Sequence, residues 1–243
     1  MDGVEVKFFG GAVTAYQPES GYRAGTDAIL LAQSLGLKPG GKVLELGCGS
    51  GVVLLLAAHN CPDGDFTGLE RSADMLKLSR QNTKDHTNID IVEGSIRSLP
   101  KDWHLQYEHV FCNPPFFDDR KAVRMSAAKE PSFVNKKSLG IEDWIGAMLL
   151  MLKPRGMGTL IYRADGLEKV LAALGSKAGR LRILPIHSYA DTPAKRIIVQ
   201  FRKGVKSESA LLPPLIMHER GAAEKYTARA QDILSGKKSL QLP

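Results

Sequence analysis

From residue 42 onward the chain alternates short β-rich runs with helical segments, and this alternation constrains the fold more than any other feature. KVLELG (42–47), DFTGLE (65–70), NIDIVE (88–93), HVFCN (109–113) and MGTLIY (157–162) read as strands. Between them SGVVLLLAAHN, SADMLKLSRQN and IEDWIGAMLLML carry apolar residues at helical spacing. Strands that alternate with helices pair in parallel, and the helices cover both faces of the sheet. After a helix over GLEKVLAALG (166–175) the pattern changes: LRILPIH (181–187) and KRIIVQF (195–201) are joined by a loop too short for a helix. They read as an antiparallel hairpin at one sheet edge.

The first forty residues, with GG, PESG and AGTD turns around AILLAQSLGL, read as a small cap followed by a helix. Residues 41–204 form the main α/β domain. The tail, 205–243, holds a Pro-Pro turn and an amphipathic segment, EKYTARAQDIL, and is expected to pack on the same domain. The longest apolar stretch, VVLLLAA, is far shorter than the ~20 residues that span a bilayer. No basic-then-apolar leader opens the sequence. Three widely spaced cysteines, Cys48, Cys61 and Cys112, form no CxxC pair, and no histidine cluster has metal-ligand spacing. The expectation is a reduced, cytoplasmic protein without membrane or metal.

The formal charge of +7 is unevenly placed. Residues 120–155 carry eight Lys and Arg against three Asp and Glu, and residues 177–206 carry eight against one, so the rest of the chain is net negative. A polyanion held near these windows would explain them, and so would solvated faces.

Chemistry enters at the strand ends. LELGCGSG (44–51) follows the first strand and leads into a helix. Gly47, Gly49 and Gly51, with Cys48 between them, let backbone N–H groups approach a ligand closely. A dinucleotide fingerprint would run GxGxxG, whereas this loop runs GxGxG behind an acid, Glu45. That acid would repel a pyrophosphate and welcome an ammonium and a sulfonium. Glu70, followed by Arg71, ends the second strand, where a carboxylate can accept both hydroxyls of a ribose. Together these features point to S-adenosylmethionine, with Gly94, Ser95 and Ile96 of VEGSI flanking the adenine.

The fourth strand ends in VFCNPPFF (110–117). An exocyclic amino group on a base, or a carboxamide nitrogen, attacks a methyl group poorly because its lone pair is delocalised. If the Asn113 side-chain oxygen and the Pro114 carbonyl each accept one of its N–H groups, the nitrogen is held with its lone pair free to point at the methyl. Pro115 removes a competing donor, and Phe116 can stack on the planar acceptor. Phe117 and Cys112 read as packing residues.

On these residues, together with FFGGAVTAYQPESGYRAGTDAILLA, DTPAKRIIVQFRKG and LIMHERGAAEKYTARAQDIL, the chain resembles the class I S-adenosylmethionine-dependent methyltransferases. It is similar in particular to the bacterial tRNA(Val) adenine-N6 methyltransferases. The resemblance implies a Rossmann-like, mostly parallel seven-stranded sheet with helices on both faces and an antiparallel edge hairpin. It implies S-adenosylmethionine as cofactor, tRNA as partner, and Asn113, Pro114, Pro115 and Phe116 as the catalytic motif. It also places Tyr22, Arg23, Thr26 and Asp27 beside the cofactor, although Thr26 or Asp27 could equally cap the helix that follows. The family usually has an acid where Ser95 stands and often Tyr where Phe116 stands. Related motifs serve protein-glutamine N5- and rRNA guanine-N2-methyltransferases, and a noncatalytic RNA-binding protein could retain the fold. RNA contacts are expected from Arg120, Lys121, Arg124, Lys129, Lys136 and Lys137 after the motif. Lys195, Arg196, Arg202 and Lys203 of the hairpin are grouped with them at the mouth of the site.

Overall fold

A computed structural model describes residues 3–21, 23–115 and 139–243. It opens with an antiparallel hairpin, β1 (Val4–Phe8) and β2 (Val13–Gln17), followed by α1 (Thr26–Ser34). Then come β3 (Lys42–Leu46), α2 (Val52–Asn60), β4 (Asp65–Glu70), α3 (Ala73–Thr83), β5 (Ile89–Glu93) and β6 (Tyr107–Cys112). They are followed by α4 (Ile141–Met151), β7 (Leu152–Arg163), α5 (Leu167–Leu174), β8 (Ala178–His187) and β9 (Ala194–Lys203). The tail adds β10 (Ala210–Leu211), β11 (Leu215–Ile216) and α6 (Ala228–Leu234).

The main sheet runs β10-β8-β9-β7-β6-β3-β4-β5, with β11 also on β8. β7, β6, β3, β4 and β5 pair in parallel, and β9 lies antiparallel between β7 and β8. This is the Rossmann-like methyltransferase arrangement, with the seven expected long strands. The two extra strands are two residues each. They were illegible because so short a run carries no periodicity; β8 recruits them to cover its open edge. The hairpin is not wholly peripheral either, since β9 is interior.

Helix α2, VVLLLAAHN, buries every residue from Val52 to Ala58, as a helix apolar on all sides must. With α1, α6 and Leu76 of α3 it covers one sheet face, where Val43, Phe66 and Phe111 point. α4 and α5 cover the other, over Leu44, Leu46, Val110 and Leu160. The N-terminal cap is a true hairpin whose Phe8, Phe9, Val13 and Ala15 join the first of these cores. Alternating Val13, Ala15 and Gln17 was its signal, masked by the FFGG turn in which Phe9 itself adopts φ 50°. α1 is tied to the sheet by a buried polar chain: His109 Nε2 meets Thr159 Oγ1 at 2.9 Å, and Gln200 Nε2 donates to Thr159 Oγ1 and to the Ser34 carbonyl. Burial, then Arg202, pushes the His109 pKa down to about 3, so the ring is neutral.

Close approach between β7 and β9 depends on Gly158. A Cβ there would lie 2.1 Å from the buried Phe201 ring. Gly158→Ala is expected to destabilise the protein by about 1–3 kcal/mol through overpacking. An unchanged urea midpoint would show that the ring yields freely.

Candidate functional site

The carboxyl ends of the parallel strands form one rim, where the loops after β3, β4, β5 and β6 meet. In the loop after β3, Gly47, Gly49 and Gly51 have φ of 69°, 56° and 79°, all left-handed. Gly47 and Cys48 both donate to the Leu69 carbonyl at the end of β4, at 2.8 and 3.0 Å. Gly49 N–H donates to Glu70 Oε2 at 2.9 Å, while Glu70 Oε1 accepts from the Arg71 and Ser72 backbone N–H groups at 2.8 Å each. Glu70 therefore fixes the glycine loop and the start of α3. Of roughly four carboxylate lone-pair positions, three are engaged. Arg71 enters through its backbone.

Gly47 is required twice over. Its backbone is left-handed, and a Cβ there would fall 2.7 Å from the Trp144 ring at the start of α4. Trp144 is a site residue that the sequence did not reveal, because in IEDWIGAMLLML it reads simply as one of the apolar helix positions.

Glu45 is 1% exposed, and its Oε2 has no hydrogen-bond partner. Burial, and then the negative charge of Glu70, holds its carboxyl well above the usual range, while a backbone hydrogen bond at Leu54 pulls the other way. Trp144 Nε1 is likewise buried without a partner. A lone buried acceptor and a lone buried donor around one glycine loop are costly unless a ligand completes them. A group bearing both an ammonium and a carboxylate, as the methionine end of S-adenosylmethionine does, matches this donor and acceptor set.

β6 lies beside β3, and Cys112 is level with Leu46, so Asn113 follows at the rim directly next to Gly47. Asn113 is half-buried, Pro114 buried and Pro115 exposed. Phe116, Arg120, Lys121, Arg124, Lys129, Lys136 and Lys137 lie outside the described residues, as does Tyr22. The three cysteines are free and buried. Burial, then the Glu45 charge, pushes the Cys112 and Cys48 thiols up, and Glu70 adds to this at Cys48. Neither is a nucleophile. After β5, Gly94 N–H donates to the Glu70 carbonyl, while the Ser95 hydroxyl oxygen accepts from Arg97 N–H at 3.3 Å. Ile96 packs against the core on the α4 side.

The front segment is shaped by Gln17, whose side chain accepts from Ala24 N–H at 2.6 Å and donates to its carbonyl at 3.0 Å. Arg23 donates to the carbonyls of Pro18 and Glu19, bracing this turn. Gly25, not Thr26 or Asp27, caps α1, and no side chain closes that end. Asp27 instead accepts from Arg196 Nε at 2.9 Å, joining α1 to β9. Arg196, expected as a cation for RNA, is thus half-buried in an ion pair, while Lys195 is exposed. The register also separates the hairpin cations. Arg196 is level with Arg163 at the rim, whereas Arg202 is level with Met157, about 20 Å away at strand spacing. Arg202 and Lys203 donate to the Arg155 and Leu152 carbonyls at that far end. Their assignment to the mouth of the site is therefore corrected. Asn82, unremarkable in a helix pattern, accepts from Tyr16 N–H and donates to the Tyr16 and Ser50 carbonyls, each at 2.8 Å. It fastens β2 and the glycine loop to α3.

Among the described residues no group of three His, Cys, Asp or Glu is placed to hold a metal ion, and no helix is long and apolar enough to cross a membrane.

Residues 22–136 match the family model described as methyltransferase small domain. The chain is 24% identical over 200 residues to the tRNA1(Val) (adenine(37)-N6)-methyltransferase of Phocaeicola vulgatus, covering 79% of this chain and 82% of that protein. It is 27% identical over 185 residues to the Shewanella baltica protein of the same name, covering 73% and 76%. A crystal structure described as a predicted O-methyltransferase from Agrobacterium tumefaciens matches with a TM-score of 0.73 at 25% identity, over 88% of this chain and 98% of that one. TYW2 from P. horikoshii, solved in complex with MeSAdo, shares the fold at a TM-score of 0.56 and 11% identity, over 79% and 69%.

Proposed function

We propose that this chain, a class I S-adenosylmethionine-dependent methyltransferase, transfers a methyl group to N6 of an adenine in tRNA, in the anticodon loop of tRNA(Val). The observation that carries the reading is the position of Asn113-Pro114-Pro115, at the rim one strand away from Glu45, whose Oε2 has no partner, and its glycine loop. The names of the tRNA1(Val) relatives support the choice of acceptor.

When bound, S-adenosylmethionine supplies an electrophilic methyl on a sulfonium, a good leaving group. Glu45, the loop Gly47-Cys48-Gly49 and Gly51, Glu70 and Trp144 would hold it. Arg71, Gly94, Ser95 and Ile96 would line the adenine end, and Arg23, Thr26 and Asp27 would shape the entrance. Asn113 Oδ1 and the Pro114 carbonyl accept the two N–H groups of the acceptor amine. Pro115 offers no N–H to compete, and Phe116 stacks on the base. Catalysis then rests on positioning, without a strong base. Lys195, together with Arg120, Lys121, Arg124, Lys136 and Lys137, meets the RNA backbone. Arg196 serves it indirectly, through Asp27. Residues 41–204 act as the transferase domain, with 1–40 and 205–243 as extensions of it.

The test uses tRNA from cells lacking this protein. Nucleoside mass spectrometry is expected to show one N6-methyladenosine missing and restored by the purified protein with cofactor. Methyl label entering protein, and no RNA, would transfer the assignment to a glutamine acceptor.

A further inference from the structure

The tail segment LIMHERGAAEKYT returns to the rim and builds something that the methyl-transfer site does not use. Met217 N–H donates to the His187 carbonyl at the end of β8, and His218 N–H donates to the Ser188 carbonyl, so the segment is laced to the β8–β9 loop. Three half-buried rings collect there. Tyr189 and His218 lie 5.6 Å apart at 46°, and His218 and Tyr226 stack at 5.3 Å and 23°. A cation sits on each outer ring: Arg220 at 4.5 Å from the Tyr189 centroid and Lys225 Nζ at 5.1 Å from that of Tyr226.

The cluster is locked in place. His218 Nδ1 donates to the Lys225 carbonyl, and Thr227 Oγ1 donates to the Ile216 carbonyl while accepting from Ala230 N–H. Asp191 takes the Arg220 guanidinium through Nε and Nη2, which leaves Nη1 without an acceptor among the described residues. The Arg220 and Asp191 side chains are 62% and 63% exposed. Exposed Glu219 and Glu224 lie in the same segment, so this is not a simple basic patch. Its distinguishing content is a stack of rings with a cation lying over each outer one.

Tyrosines held rigidly under an exposed arginine and a lysine suit unpaired nucleotides, with the ring edges and the guanidinium plane offered to bases and the cations to phosphates. The cluster belongs to the loop following β8, three strand positions or about 14 Å sideways from β6, and β8 ends at His187, four residues beyond Ile183, which is level with Cys112, so the cluster stands above Asn113 as well as beside it. We propose that Tyr189, His218, Tyr226, Arg220 and Lys225 form a docking platform for unpaired RNA nucleotides flanking the one being methylated. This rests on the RNA reading above and deepens it. The platform binds neighbours of the target, not the target base itself.

Binding of an unmodified tRNA(Val) transcript distinguishes the outcomes, with the affinity for S-adenosylhomocysteine measured in parallel as a check on fold and cofactor site. Tyr189→Leu and Tyr226→Leu are each expected to weaken tRNA binding about fivefold or more, the fold-change of a lost base–aromatic stack. Cofactor affinity should hold, and Tyr189→Phe should restore tRNA binding. Arg220→Gln with Lys225→Gln should lower the slope of log affinity against log salt by about 0.7 per cation, whereas the tyrosine variants should leave it unchanged. Wild-type tRNA affinity in both leucine variants would overturn the platform while leaving the methyl-transfer reading intact. It would fit a surface that meets an acidic protein instead. A wild-type protein that neither binds nor methylates any RNA would remove both readings.

Discussion

Replacing Asn113 by alanine is expected to reduce turnover by about a hundredfold to a thousandfold or more, while the affinity for S-adenosylhomocysteine stays close to wild type. The asymmetry follows from geometry. Asn113 follows the tip of β6, while the groups proposed to hold the cofactor sit on the loops after β3, β4 and β5. In the proposed mechanism its amide oxygen accepts from the acceptor nitrogen, so its removal would leave the methyl donor held but the nucleophile unaligned. A fall in cofactor affinity matching the fall in turnover would mean that Asn113 serves the cofactor. Wild-type turnover at saturating tRNA would remove it from the mechanism.

Glu70→Ala is expected to weaken S-adenosylhomocysteine by about 1.5–3 kcal/mol, or roughly tenfold to a hundredfold. Two effects act together in this variant. A charge-assisted acceptor for the ribose disappears, and the N–H groups of Gly49, Arg71 and Ser72 lose the carboxylate that now holds them. Glu70→Gln keeps the shape and one carbonyl oxygen, so it should recover part of the loop order and little of the ribose contact. Calorimetry on both variants separates the contributions. An unchanged dissociation constant in Glu70→Ala would sink the assignment of this strand end to the cofactor.

Much of this site was legible because its chemistry is local. GxGxG behind Glu45, Glu70 ending a strand and Asn-Pro-Pro ending another are each contained in a few consecutive residues. Strand alternation then suffices to bring them to one rim, because parallel strands all end on the same side. What escaped were residues whose role depends on partners far along the chain. Trp144 reads as helix core until Gly47 meets it, Asn82 as an ordinary helix residue, and Arg196 as a free cation until Asp27 is found 169 residues earlier.

The hairpin cations make the same division within a single strand. Sequence proximity grouped Lys195 and Arg196 with Arg202 and Lys203, but an extended strand carries its two ends about 20 Å apart, to opposite ends of the sheet. The sequence by itself therefore determined the α/β class, the order of the long strands and which residues stand at the strand ends, since period and strand-end residues are short-range properties. Only the tertiary structure decided which buried polar atoms lack partners, which cations are already paired, and that the tail folds back over β8 to stack His218 and Tyr226 beside Tyr189. Those outcomes depend on which distant surfaces exclude water from one another, and no local pattern encodes that.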